Sequence, residues 1–190
     1  MTDGPGTATR QAAIHGSFTV ERDLAASPDR VYAAYADVAV RRRWFRMPGD
    51  PARASHELDF RVGGHEAAAG VFAPAGDAEE RLEYRSTFLD LEAGAQIVFG
   101  YSFTLDGVLR WASLVTIELS ALPAADGTRL RHTEQYVYLA YAGDGSQDIA
   151  HLKGSMNLQL NGLAAALGSV GPSPGIQNQV IKNNSALAEG

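Results

Sequence analysis

The stretch Gln147–Val170, QDIAHLKGSMNLQLNGLAAALGSV, decides the fold of this 190-residue chain. Its apolar residues recur at steps of three or four, which places them on one side of a helix. These residues are Ile149, Leu152, Met156, Leu160, Leu163, Leu167 and Val170. A helix with one apolar side must bury that side against another element. The stretch therefore predicts a long helix over residues 147–170 packed on a sheet. A curved sheet around a single helix often leaves a cavity between the two.

The residues before this helix alternate between apolar and polar, as the strands of an antiparallel sheet do. The predicted strands cover 14–24, 58–62, 66–73, 82–88, 97–103, 111–119 and 130–138. Two short helices are expected after the first strand. Ser-Pro-Asp at 27–29 is typical of a helix start, and the apolar residues within 40–45 predict a second helix that ends before Pro48.

This order of elements predicts an α+β fold, with a curved antiparallel sheet of about seven strands around a long C-terminal helix. The length is sufficient for one domain with a substantial core. Pro172 and Pro174 are expected to end the long helix. Residues 1–13 are expected to form a flexible arm, residues 14–171 a single domain, and residues 172–190 a mobile tail rich in Asn, Ser and Gln.

Charge and composition exclude several classes of function. The net charge of −6 argues against a nucleic-acid partner, because phosphate binding requires a basic surface. Arg41, Arg42, Arg43 and Arg46 form a basic cluster, which we interpret as the solvated face of a short helix, with an anion site as the alternative. The apolar runs are too short for a membrane span, and no secretory signal precedes the first strand. A cytoplasmic location is expected.

The sequence predicts neither a metal site nor a cofactor. It contains no cysteine, which excludes disulfides and thiolate chemistry. His65-Glu66 is not followed by histidine at position 69, so the zinc-binding pattern of two histidines four residues apart fails. The remaining candidates His15, His56 and His151 are scattered along the chain, and their neighbours predict that they are exposed.

Seven short segments, in this order, resemble the START-like (SRPBCC) superfamily. Within it they are similar to the family named for the C-terminal domain of the heat-shock-protein-90 ATPase activator. The match covers about residues 16–170, and its segments lie at 18–22 with 26–32, 42–45, 57–64, 96–99, 105–107, 127–130 and 133–135. The resemblance implies a helix-grip fold, in which a seven-stranded sheet wraps around the long C-terminal helix.

Aromatic residues of the predicted strands, opposite the apolar side of the helix, are the candidates for lining a ligand cavity. Small-molecule sites are mostly apolar with a few polar groups, and such a lining also suits a filled core. The strand candidates are Tyr84, Phe88, Phe99, Tyr101, Phe103, Trp111 and Tyr136, and the helix candidates are Met156, Leu160 and Leu163.

His132 and Glu134 form the most specific polar pattern. Two positions apart on a strand, they point to the same side, with their Cα atoms about 7 Å apart. If that side is inward, both groups are buried and need hydrogen-bond partners. A structural network, contact with a polar ligand, and acid/base catalysis are three interpretations of the pair.

These observations favour a non-enzymatic domain that binds a hydrophobic or amphipathic small molecule between sheet and helix. A cyclase or lyase type of enzyme that uses His132 and Glu134 is the first alternative. The second is a protein-interaction domain acting on a chaperone ATPase, as the resemblance implies. Asn157, Gln159 and Asn161 turn a polar face of the helix toward solvent or toward a second copy of the chain, which leaves a homodimer open.

Overall fold

The structure of the chain, a computed structural model, describes residues 11–73, 78–123 and 127–168. One seven-stranded antiparallel sheet has the order β1-β7-β6-β5-β4-β3-β2. Its strands are β1 (Ile14–Leu24), β2 (Ser55–Leu58), β3 (His65–Phe72), β4 (Glu80–Glu92), β5 (Gln96–Leu105), β6 (Val108–Ala121) and β7 (Thr128–Tyr138). The helices are α1 (Pro28–Ala36), α2 (Val38–Trp44) and α3 (Ser146–Ala166). The helix-grip fold and the two short helices after the first strand are confirmed.

The first short helix begins where the sequence predicts. The side chain of Ser27 accepts a hydrogen bond from the backbone N–H of Arg30, and Pro28 occupies the first turn. Asp37 then ends α1 and caps α2, because its side chain accepts hydrogen bonds from the N–H groups of Ala39 and Val40. The shared residue holds the two helices together at one turn.

Asp148 fixes the first turn of α3 to the sheet. Its carboxylate accepts a hydrogen bond from Arg110 of β6 at 2.8 Å and from the N–H of Ala142 at 2.9 Å. The hydroxyl of Tyr138 donates to the Asp148 carbonyl oxygen. A carboxylate near a helix N-terminus also interacts favourably with the helix dipole. These bonds set the distance between the start of α3 and the sheet.

The long helix ends earlier than its apolar spacing predicts. It stops at Ala166, Leu167 caps it, and Gly168 takes a φ of 78°. A glycine in the left-handed region ends a helix without the steric cost that a Cβ brings. The expectation that the helix continues to Val170 was therefore wrong for Leu167 and Gly168, which lie past its end. Val170, Pro172, Pro174 and the predicted tail lie outside the described residues.

The strand prediction over 58–62 was also wrong in its bounds. β2 ends at Leu58, after which a turn containing Gly63 (φ 75°) leads into β3. Phe60 leaves the sheet and packs edge-on against Tyr32 and Phe88 at 5.4 and 4.8 Å between ring centroids. The alternation of apolar residues therefore extends past the end of β2, because Phe60, a partly buried loop residue, packs against the core.

The ends of the chain and two turns fall wholly or partly outside the described residues. The arm predicted over 1–13 is described only from Gln11, which exchanges hydrogen bonds with the backbone of Tyr141. Residues 74–77 (Pro-Ala-Gly-Asp) and Asp126 of the Asp126-Gly127 pair, which are typical of turns, also lie outside them. None of the helices in the described part of the chain has the length and apolarity that a membrane span requires.

Candidate functional site

A cavity of about 770 Å³ lies between the sheet, the α1–α2 region and α3. Aromatic and aliphatic side chains form most of its wall. From the sheet it is lined by Tyr84, Phe99, Tyr101, Phe103, Trp111, Ile117 and His132. The short helices and the loop after them contribute Tyr35, Arg41, Trp44, Phe45, Arg46, Met47 and Pro48, and α3 contributes His151, Leu152, Gly154, Ser155, Met156, Leu158, Gln159 and Leu160.

Eight of the residues proposed from the sequence line this cavity together. They are Tyr84, Phe99, Tyr101, Phe103, Trp111, His132, Met156 and Leu160. The register explains the grouping, since Tyr84 pairs with Phe103 across β4 and β5, and Phe103 pairs with Trp111 across β5 and β6. These residues therefore share the inner face of three neighbouring strands.

Four of the proposed residues do not line the cavity: Phe88, Glu134, Tyr136 and Leu163. Phe88 is buried against Phe60 and Phe99, and Tyr136 packs against Phe18. Leu163 is fully buried near Gly162, where a Cβ would lie only 3.3 Å from atoms of Trp44. The close approach of α3 to α2 at this point fills the space that the cavity occupies one turn earlier.

The α1–α2 wall is the one wall of the cavity from which the sequence reasoning proposed no residue. Arg41, Trp44 and Phe45 lie three and four residues apart, so they share a helix face. That spacing was available as a signal. The four arginines were interpreted as a solvated face and the apolar residues within 40–45 only as part of a second helix, whereas the structure turns Arg41, Trp44 and Phe45 together toward the cavity.

A chain of hydrogen bonds runs from Trp111 to His132 at the inner end of the cavity. The indole N–H of Trp111 donates to the Tyr101 hydroxyl at 3.1 Å, and this hydroxyl donates to Glu134 Oε1 at 2.5 Å. Glu134 Oε2 lies 3.2 Å from Nε2 of His132. Glu134 is fully buried and His132 almost so. The inward direction of the pair is therefore established, with the carboxylate behind the imidazole.

The Tyr101 hydroxyl stays protonated in this network. Burial raises the pKa of Tyr101 well above its usual range, and the neighbouring Glu134 carboxylate raises it further. A neutral phenol can donate a hydrogen bond, as the Tyr101 hydroxyl does to Glu134. The arrangement orients the ring of His132, which also stacks on Phe18 at 6.2 Å between centroids.

Replacing Tyr101 by phenylalanine is expected to lower the free energy of unfolding by about 1–3 kcal/mol. The change removes the donor to the fully buried Glu134 and the acceptor for the indole N–H of the partly buried Trp111. Urea unfolding followed by circular dichroism measures the loss. An unfolding midpoint equal to that of the wild type would contradict the hydrogen-bond chain.

A second buried polar network lies on the opposite wall. Arg41 donates from Nε and Nη2 to the two carboxylate oxygens of Glu66, both at 2.7 Å. Nε2 of His56 lies 2.8 Å from Glu66 Oε1. The guanidinium carbon of Arg41 lies 4.1 and 4.3 Å from the ring centroids of Trp44 and Phe45. Aromatic rings and a bidentate carboxylate thus hold one cation in place.

These contacts correct two predictions from the sequence. Arg41 is not part of a solvated face, since only 5% of it is exposed, whereas Arg42, Arg43 and Arg46 are exposed as expected. The side chain of His56 is 10% exposed rather than free in solvent. The reason is Glu66 of β3, a buried acid that requires both partners.

The Glu66 carboxylate is charged in the folded protein. Burial raises the pKa of Glu66, but the charge and hydrogen bonds of Arg41, together with His56, outweigh burial and hold it below its usual range.

Among the described residues, no group of three or more His, Asp or Glu side chains is arranged to hold a metal ion.

The chain is similar to known proteins over the residues that form the cavity. A family described as Activator of Hsp90 ATPase homolog 1-like protein matches residues 25–168, which include every wall of the cavity. The Mll3558 protein of Rhizobium loti is 40% identical over 82% of this chain and 99% of its own, with a TM-score of 0.64. A protein of Rhizobium leguminosarum is 28% identical over 85% and 99%, with a TM-score of 0.71.

A more distant structure resembles this chain in fold alone. CalU16 of Micromonospora echinospora is 19% identical over 83% of this chain and 87% of its own, with a TM-score of 0.52. No curated protein matches the chain.

Proposed function

Because this chain belongs to the Activator of Hsp90 ATPase homolog 1-like family, within the START-like superfamily, we propose that it binds a hydrophobic or amphipathic small molecule. The ligand occupies the space between the sheet and α3, and no chemical step follows. The binding unit is the single domain predicted over residues 14–171.

The observation that supports this proposal is the volume and lining of the cavity. About 770 Å³ falls within the range of roughly 300–1,000 Å³ that is usual for ligand pockets. A closed core rarely contains voids much larger than a water molecule. The wall is mostly aromatic and aliphatic, with a minority of polar groups that includes Arg41, Tyr101 and His132. Such a lining suits an apolar body with a small number of polar atoms.

The rim offers a place to block entry. Gly154 and Leu158 of α3 are both exposed and border the cavity, and no atom lies within 4 Å of a Cβ built on Gly154. A larger side chain at 154 can therefore be added without a clash in the folded protein. A phenylalanine at this position is expected to cover part of the mouth.

N-Phenyl-1-naphthylamine, a neutral aromatic probe, is expected to bind saturably and to quench the fluorescence of Trp44 and Trp111, the two tryptophans of the chain. At a probe concentration 100-fold above Kd, binding adds about 2.7 kcal/mol to stability and raises Tm. Titration and a thermal-shift assay measure both effects.

The matched pair Gly154→Phe and Gly154→Ala locates the binding. The phenylalanine is expected to weaken probe binding about tenfold, and the alanine to leave it unchanged while adding about 0.5–1 kcal/mol of helix stability. Absence of saturable binding to the wild type, or equal binding by both variants, would contradict the proposal.

An enzyme that uses His132 is the second candidate function. It is supported by one observation, namely that His132 lines the cavity while Glu134 lies behind it at 3.2 Å. A histidine oriented by a carboxylate can act as a general base. On a compound that the wild-type protein converts, His132→Gln is then expected to lower kcat about 100-fold or more. Unchanged turnover in that variant would remove this candidate.

A chaperone partner is the third candidate, supported by the description of the family alone. Stimulation of a heat-shock-protein-90 type ATPase by the purified chain is its test, and absence of both binding and stimulation would remove it.

The homodimer stays a prediction. Of the residues that suggested it, Gln159 borders the cavity and Asn157 accepts a hydrogen bond from Arg22.

A further inference from the structure

The charged residues of the cavity wall are all basic. Arg41 and Arg46 line the cavity together with His132 and His151, while none of the described residues that line it is Asp or Glu. The chain as a whole has the opposite balance, with 22 acidic and 16 basic residues. The two buried acids nearest the cavity, Glu66 and Glu134, lie behind their partners rather than in the lining.

One donor of Arg41 is available to a ligand. Its Nε and Nη2 atoms donate to Glu66, whereas no acceptor among the described residues is hydrogen-bonded to Nη1. Some buried side-chain atoms have neither a hydrogen-bond partner nor contact with solvent, and Arg41 Nη1 is not one of them. Arg41 borders the cavity and only 5% of it is exposed, so the cavity is where a ligand can reach Nη1.

The surroundings hold this donor in a fixed direction. Trp44 and Phe45 pack against the guanidinium at 4.1 and 4.3 Å, and the two bonds to Glu66 fix its plane. A planar guanidinium held in this way is suited to an oxyanion, since charge-assisted hydrogen bonds are about twice as strong as neutral ones. Arg46, which is exposed at the rim, adds positive charge at the entrance.

The rest of the cavity wall is suited to a ligand with flat aromatic rings. Half of the chain's Phe, Trp and Tyr side chains line the cavity, including both tryptophans. Phe103 and Trp111 stack at 4.2 Å between centroids, and Tyr84 and Tyr101 pack at 5.1 Å. Aromatic side chains favour stacked or edge-on contact with further aromatic rings.

We propose, resting on the binding function above, that the ligand is an aromatic molecule with one acidic group, whose oxyanion accepts a hydrogen bond from Arg41 Nη1. Its rings lie among Tyr84, Phe103 and Trp111. Carboxylates, phenolates and sulfonates share this chemistry.

A pair of dyes with the same ring system isolates the anion. 8-Anilinonaphthalene-1-sulfonate carries a sulfonate that N-phenyl-1-naphthylamine lacks, and each is titrated into the full-length chain and competed against the other. In Arg41→Gln/Glu66→Gln, which removes both charges together, affinity for the sulfonate is expected to fall about tenfold. Affinity for the neutral dye is expected to change less than twofold. Arg43→Gln, an exposed arginine of the same helix outside the cavity, is the control and changes neither affinity.

Two further readouts keep the test independent of how well the double variant folds. Arg46→Gln is expected to weaken sulfonate binding about twofold at low salt and not in 0.5 M NaCl, where surface charges are screened. An equal effect of the double variant on both dyes, with no effect of Arg46→Gln or salt, would overturn this inference while leaving the binding function intact. Failure of both dyes to bind the wild type would overturn the binding function and this inference with it.

Discussion

Replacing Glu66 by leucine is expected to lower the free energy of unfolding by about 3–5 kcal/mol, because it leaves the Arg41 cation buried without a counterion. Only 5% of Arg41 and 1% of Glu66 are exposed, so little solvent reaches the position of the lost carboxylate. The two hydrogen bonds of 2.7 Å from Arg41 and the contact with His56 are lost together. Urea unfolding of the purified variant measures the change.

The double variant Arg41→Met/Glu66→Leu is the control for this result. It removes both charges and keeps side chains of similar volume, and buried ion pairs can often be exchanged for apolar residues at little cost. Recovery of most of the lost stability is therefore expected. A double variant as unstable as Glu66→Leu would show that shape, rather than the unpaired charge, governs this wall.

The contribution of Glu66 also has a defined pH dependence. The pKa of Glu66 is lower in the folded than in the unfolded protein, where it is about 4.3. Its stabilisation is therefore fully present above about pH 4.3 and is lost as the pH falls through the folded value. The stability difference between the wild type and Glu66→Leu is expected to be constant from pH 7 to 5 and to shrink below about pH 4. A difference that grows on acidification would contradict the charged state of Glu66.

Replacing Leu163 by alanine is expected to cost about 2–5 kcal/mol, the range for buried Leu→Ala changes. Leu163 is fully buried on the apolar side of α3, where the close approach of Gly162 to Trp44 leaves little room for the surroundings to relax into a void. The loss is measured by urea or thermal unfolding.

Leu158→Ala is the matched control on the same helix. Leu158 is 72% exposed, so the same chemical change is expected to alter stability by less than about 0.5 kcal/mol. Equal losses at the two positions would contradict the placement of the apolar side of α3 against the sheet.

The strands and helices follow from local features of the sequence. Alternation in β4 to β7 and the three-and-four spacing in α3 are recovered because each depends on neighbours a few residues apart. The end of α3 was missed because Leu167 continues the spacing, while the left-handed Gly168 stops the backbone. The spacing of apolar side chains does not show where the backbone leaves the helical conformation.

The candidate site was predictable only where it lies on regular elements. Tyr84, Phe103 and Trp111 were found because alternation shows which strand residues face inward. Arg41 and Glu66 were not found, since they are 25 residues apart and each has a charge that suggests solvent when read alone. Only their contact across α2 and β3 makes burial of both favourable.

The sequence by itself determined the fold class, the inward face of the strands and the apolar side of the long helix, because periodicity follows from the geometry of each element. The tertiary structure decided where space remains. Asp148 holds the start of α3 to the sheet and Gly162 brings its later turns against Trp44, so the gap stays open along residues 151–160 and closes at Leu163. The size of a cavity depends on how closely elements that are distant in sequence pack against one another, and no local sequence pattern specifies that distance.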